Sequence, residues 1–292
     1  AAGPVEASYT VGICQLVQHD ALDAATQGFK DALTEKLGLN EPLLTQYFLF
    51  LKQIFTLDFG NSFTYQMPVS ELLASRFPVT LALTLMSTVI SLVISLPLGY
   101  FAGVHKDKLG DQVVRTTSLV AISMPSFWVG LLLMIVFALK LKWLPAGGWA
   151  DTLPEQFRCL ILPAITQSLM TSALLLRNTR NSVVDITRMD YVDFARSKGI
   201  SAGEVRSRHV MRNAMISTVT LLSMRMAAML GGSVIIETVF SIPGIGKLAS
   251  EAIFGRDYAV VQFVVLLFAV LVLVINLITD ILYSFLDPRV NL

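Results

Sequence analysis

The sequence predicts an all-α fold, a polytopic bundle of membrane-spanning helices, and three observations predict it. Only 15% of the 292 residues are charged, where soluble domains carry about 25%. Hydrophobic residues make up 54% of the chain and the mean hydropathy is +0.66. The apolar residues are also grouped, into charge-free runs long enough to cross about 30 Å of hydrocarbon. Together these exclude a soluble enzyme, a nucleic-acid binder and a disordered chain.

Taken in chain order, the first 78 residues read as short helices outside the membrane. Asp20 to Leu37 has apolar positions at helical spacing with Gly38 as its C-cap. Glu41-Pro42 then opens a helix whose aromatic run (Tyr47, Phe48, Phe50, Phe55) reads as core packing. Four uninterrupted spans follow, from Val79 to Val104, Thr116 to Leu139, Leu160 to Leu176 and Ala259 to Thr279. A fifth, from Asn213 to Ile236, is broken only by Arg225, and its small and hydroxylated residues suit a helix packed inside a bundle. The division is therefore an extracytoplasmic segment, 1–78, and a membrane domain, 79–292.

Orientation follows from the basic residues, because Lys and Arg accumulate in cytoplasmic loops. The connection from Arg177 to Arg212 carries eight of them, and the hairpin after the first span adds Lys106, Lys108 and Arg115. Both are expected inside, with the C-terminal Asp287-Pro288-Arg289. The loops holding Trp143 to Cys159 and Phe240 to Tyr258 are expected outside. An odd number of visible spans then puts residues 1–78 outside, and that stretch has eight acids against four bases. Since it has no signal peptide and does not begin with Met, a sixth, N-terminal span is expected to precede it.

The chain shows no catalytic pattern. Gly244-Ile245-Gly246-Lys247 lacks the spacing and hydroxyl of a phosphate loop and reads as a turn set by Pro243-Gly244. His19, His105 and His209 are scattered, and Cys14 and Cys159 sit in no metal-ligand spacing, so no metal site is expected. The two thiols read as packed and inert; a bridge between them requires both to face an oxidising compartment.

Three features within or beside the spans stand out. Arg225 lies twelve residues into its span, where an ionisable group costs about 2.5–3.5 kcal/mol on the insertion scales, and no acid lies in any span to pair with it. It lines a wet translocation pathway, or it serves as a structural or snorkelling arginine between helices. Glu237, at the outer end of the same helix, reads as a solvated terminus. Gly99 and Gly103 form a small-xxx-small pair suited to close helix packing.

The cytoplasmic connection 177–212 is too punctuated for a tether. Asp193, Ala195 and Arg196 lie on a helix closed by Gly199. Ser201 and Glu204 form a capping box that opens another helix carrying Arg206, His209 and Arg212. Helix, glycine turn and helix make a rigid basic knob that calls for a partner surface.

Here the residues resemble a known family. Tyr191 to Ala214, YVDFARSKGISAGEVRSRHVMRNA, is similar to the "EAA" coupling loop of binding-protein-dependent ABC importer permeases, in the wording of the dipeptide/oligopeptide/nickel branch. Leu57 to Ser62, Arg76 to Leu81, Ser123 to Trp128, Pro243 to Gly246, Arg256 to Tyr258 and Asn276 to Arg289 extend the match in order. The generic Glu-Ala-Ala is here Asp193-Phe194-Ala195, and Ala2-Gly3-Pro4 stands where the family has Gly-Asp-Pro. The resemblance implies six helices, a second homologous permease subunit, two cytoplasmic ATPase subunits holding ATP and Mg, and an external solute-binding protein. It implies no cofactor in this chain, and a multi-pass place in a bacterial or archaeal cytoplasmic membrane. Asp193, Ala195, Arg196, Gly199, Ser201, Glu204, Arg206, His209 and Arg212 would form the ATPase-coupling loop.

The expected function is import of small peptides, with nickel or a metal chelate as the alternative cargo. A self-sufficient secondary transporter would show intramembrane acids and inverted repeats, and neither is visible. A non-transporting membrane scaffold is the remaining alternative.

Overall fold

The computed structural model describes residues 42–286. The expected helix from Asp20 to Leu37, Cys14 and the ending Asp287-Pro288-Arg289 lie outside the described residues. The chain divides into two units, 1–58 and 59–292. In the first, α1 (Leu43–Thr56) starts at Pro42 as expected and ends at Leu57, whose φ of 55° stops the helix. Its aromatic residues do not form a core: Tyr47, Phe48 and Phe55 are exposed, and Tyr47 and Phe48 meet edge-on. Within the described residues of that unit there is a single helix, and one helix has no second surface to bury against.

The second unit is a helix bundle. Its long members are α2 (Val69–Val104), α5 (Leu153–Thr187), α7 (Arg212–Val239) and α9 (Tyr258–Leu286), with α3 (Leu109–Ser123), α4 (Ser126–Leu133), α6 (Asp190–Ser197) and α8 (Ile245–Phe254) between them. Four helices among the described residues are long and apolar enough to cross a membrane, and a bent pair would make a fifth.

That bent pair is the second expected span. The sequence reads as one helix from Thr116 to Leu139, but α3 and α4 meet at 102°. Pro125 has no N–H to continue the ladder and disfavours helical backbone in the residue before it. Met124 accordingly adopts an extended conformation, φ −88° and ψ 131°. Past the bend, α4 runs into a π-helical stretch, Met134–Lys140.

The bundle is built on the parallel pair α2 and α5. At Gly99 an added Cβ would lie 2.8 Å from the Thr179 Cβ, and at Gly103 it would lie 2.7 Å from that of Val183. The two backbones can approach only because both residues are glycine, as expected for the small-xxx-small pair. Between the ends, α2 presents a buried hydroxyl stripe (Thr84, Ser87, Thr88, Ser91, Ser95) to its neighbours. Ser91 Oγ donates to the Ser168 carbonyl at 3.3 Å, and Gln167 Nε2 on α5 donates to the Met229 carbonyl on α7 at 3.0 Å.

Apolar clusters close the bundle at both ends. One joins Leu83, Leu160, Leu162, Ile236, Phe240 and Ile242 near Gly244. The other joins Val183, Ile186, Val192, Val205, Val210 and Ala214 near Gly199.

Candidate functional site

The knob at the Gly199 end grows directly out of two bundle helices. Helix α5 runs on to Thr187, eleven residues beyond its charge-free portion, so the first third of the expected loop is an extension of the span. After Met189 the chain turns into α6, and Gly199, at φ +78°, reverses it. Ser201 Oγ then accepts the Glu204 N–H at 3.3 Å, capping the helix that follows. That helix does not stop at Arg212 as the sequence suggests. Ala202–Glu204 leads through a π-helical stretch, Val205–Met211, straight into α7.

The wide turn of the π-helix leaves carbonyls without their usual partners, and side chains supply them. Asn213 Nδ2 donates to the His209 carbonyl at 2.8 Å, and the Tyr191 hydroxyl from α6 donates to the same carbonyl at 3.2 Å. Val192 and Ala195 from α6, with Val205 and Val210, are buried in the knob's own core, against which Tyr100, Val104 and Ile200 pack.

Polar side chains cover the outside. Arg196 pairs with Asp193 at 2.9 Å, Arg208 with Glu204 at 3.6 Å, and Lys198 sits 4.6 Å above the Phe194 ring. Such exposed pairs contribute about 0–1 kcal/mol each. The knob is therefore held by its apolar core and glycine turn, and its charges remain available.

The structure brings together nine of the sequence-predicted site residues. Asp193, Arg196, Ser201, Glu204, Arg206 and Arg212 are exposed around Gly199, His209 is half-buried, and Ala195 is buried, so its part is packing. Arg225 is separate, thirteen residues along the helix from Arg212, or about 20 Å. It is half-buried, and among the described residues it makes no hydrogen bond or ion pair. It lies on the side of α7 that carries Thr218, which meets Thr179 of α5 at 3.1 Å, and Met229.

Sequence reasoning missed three buried acids. Glu237 is not a solvated terminus: it is 0% exposed. Its carboxylate accepts the Thr80 hydroxyl at 2.7 Å and the Lys247 N–H at 2.8 Å. Thr80 in turn accepts the Ile245 N–H at 2.8 Å. Glu237 thus caps α8 from another helix, placing negative charge where the helix dipole is positive. Asp257, also 0% exposed, accepts the Ser62 hydroxyl and the Thr64 N–H, fastening residues 59–68 to the start of α9. Near it, burial and a hydrogen bond to Glu251 push the Tyr65 hydroxyl up to about 12, so that it stays a donor. Asp111 is clasped by Arg180 at 3.0 and 2.6 Å and also accepts the Asp107 N–H at 2.9 Å. Motif reading could have flagged Asp257 within Arg256-Asp257-Tyr258; nothing local marks the other two.

A bundle of long apolar helices with a compact helical knob at one end is the architecture of a multi-pass membrane component. Comparison with known proteins gives the particular family. Residues 95–292 match the family model described as "Binding-protein-dependent transport system inner membrane component". The chain belongs to that family, the permease components of ABC importers. It is 38% identical over 273 residues to the oligopeptide transport system permease protein AppB of Bacillus subtilis strain 168, covering 91% of this chain and 86% of the relative. It is 38% identical over 257 residues to the glutathione transport system permease protein GsiC of Salmonella choleraesuis strain SC-B67, covering 88% and 82%. The fold resembles a chain of the MetNI methionine ABC transporter in inward-facing conformations, with a TM-score of 0.60 at 17% identity, over 74% of this chain and 96% of that one.

Proposed function

We propose that this chain is one of two homologous permease subunits in an ATP-driven importer of small peptides, set in a bacterial or archaeal cytoplasmic membrane. The knob around Gly199 carries the reading. One arm, α6, follows α5 after a short turn at Arg188–Met189 and packs with Val183 and Ile186 of that helix, and the other is continuous, through the π-helical stretch, with α7. Those helices are tied to each other by Thr179–Thr218 and Gln167–Met229. A displacement of the knob is therefore passed to both helices together instead of being absorbed by a loop.

In this reading the Gly199 end faces the cytoplasm, as its basic residues favour. The knob docks on one of two ATPase subunits, which hold the ATP and Mg; this chain holds no cofactor. The Gly244 end and residues 1–78 face an external solute-binding protein that delivers the cargo. Arg225, half-buried on the face of α7 that meets α5, lines a wet pathway, where its charge keeps its solvation and meets a carboxylate or amide of the passing peptide. The names of AppB and GsiC support peptides over nickel, since both concern peptide-like cargo.

Reconstitution with the partner ATPases and binding protein tests this. Arg225→Gln should leave insertion and assembly intact and alter transport rate or cargo preference. Failure to fold, rescued by Arg225→Lys, would make Arg225 structural. Normal ATPase recruitment and normal cargo-stimulated hydrolysis in Gly199→Val would remove the coupling role from the knob. Binding of a nickel chelate and no peptide by the cognate binding protein would replace the cargo.

A further inference from the structure

Three apolar spans end close to one another near Arg180, and the first cations beyond them converge. Lys106 follows the charge-free portion of α2 by two residues, Arg115 immediately precedes that of α3, and Arg177 immediately follows that of α5. All three line a single cavity of about 250 Å³ between α3, α5 and the turn after α2. The walls are not uniformly polar: Leu119, Ile122 and Leu176 line it as well.

The cations differ in what they already do. Arg180, which also lines the cavity, is committed to Asp111 through a two-bond clasp. Lys106 lies 3.8 Å from Asp107, an exposed and weak pair. Arg115 and Arg177 make no hydrogen bond or ion pair among the described residues. Two arginines, far apart in sequence, thus line one cavity, beside Asp107, with their guanidinium donors unused among the described residues.

We propose that this cavity binds a phosphate group, carried by an anionic phospholipid, with Arg115 and Arg177 as its ligands. A guanidinium presents paired donors that match phosphate oxygens. Basic cavities between helices at the cytoplasmic membrane boundary suit lipid headgroups. The cations lie just beyond the apolar runs, at the depth of a headgroup, and Leu119 and Ile122 continue along α3 toward the hydrocarbon, where acyl chains would lie. Leu119 is 55% exposed and the adjacent Val120 48%, so α3 itself offers acyl chains an open apolar surface. A soluble phosphate shares the headgroup chemistry but has no use for that surface. Lipid binding here is independent of the transport reading and is measured without transport.

The test uses the full chain purified in neutral detergent. Its unfolding midpoint is followed during titration with dioleoyl phosphatidylglycerol, dioleoyl phosphatidylcholine and, separately, inorganic phosphate. Phosphatidylglycerol should raise the midpoint while the other two do not. The double variant Arg115→Gln/Arg177→Gln should need about tenfold more phosphatidylglycerol for the same rise, and Arg115→Lys/Arg177→Lys should keep most of the response. Because neither arginine holds the fold together, the lipid-free midpoint of the glutamine variant should match that of the parent. Native mass spectrometry supplies a second readout, with one fewer phosphatidylglycerol retained by the glutamine variant. An equal rise with inorganic phosphate, lost in the same variant, would keep the site and overturn the lipid as its occupant. Identical phosphatidylglycerol responses in the parent and the glutamine variant would overturn the proposal.

Discussion

The two ends of the bundle use charge in opposite ways. At the Gly244 end, Glu237 and Asp257 are buried and aim at backbone N–H groups and hydroxyls, so each acid joins segments of the chain to one another. At the Gly199 end one acid, Asp111, is buried against a cation among the described residues, and the ion pairs of the knob lie exposed. The difference separates charges that fold the chain from charges left over for something outside it. A buried carboxylate must find its hydrogen bonds within the protein, whereas an exposed one is already satisfied by water.

The comparison breaks most sharply at Arg180. Arg180→Ala strands the Asp111 carboxylate without its cation, and the stability loss should be about 3–5 kcal/mol, read from thermal or denaturant unfolding in detergent. Replacing both partners, Asp111→Asn with Arg180→Gln, should recover most of it. A loss under 1 kcal/mol in the single variant would place Asp111 among the solvated acids instead.

Next comes Glu237→Ala, which leaves the Lys247 N–H and the Thr80 hydroxyl buried without an acceptor. We expect a loss of about 2–3 kcal/mol, with faster hydrogen exchange at residues 245–247. Exchange unchanged at those amides would show that α8 does not depend on its remote cap.

A smaller effect on stability and a larger one on function are expected at Gly199. No atom lies within 4 Å of an added Cβ there, so the cost of Gly199→Val arises from its φ of +78° alone. That cost is about 1–2 kcal/mol. Membrane insertion should persist while cargo-stimulated ATP hydrolysis falls, measured beside pull-down of the ATPases.

The smallest change in stability belongs to Arg196→Ala and Arg206→Ala, under about 0.5 kcal/mol each. Their effect should be on association with the ATPases, largest at low salt and shrinking as screening rises. A stability loss above 1 kcal/mol would mean the surface charges of the knob are not spare.

Much of this molecule is legible in one dimension because its causes are local. Hydrocarbon rejects charge, so the charge-free runs locate the long helices without knowledge of their neighbours. The Gly199 reversal and the Ser201 cap act within a few residues, and both occur where the local sequence places them. Proline shows where local reasoning stops. Pro78, Pro97 and Pro163 lie inside unbroken helices, while Pro125 ends one and turns the chain by 102°. The ring removes the same donor at all four, and only the packing around each decides whether the helix continues. The buried acids belong wholly to tertiary structure. Thr80 stands 157 residues from Glu237, and Arg180 stands 69 from Asp111. Whether a carboxylate meets water, a backbone N–H or a guanidinium is set by which helices come together, and that choice has no signature in the residues beside it.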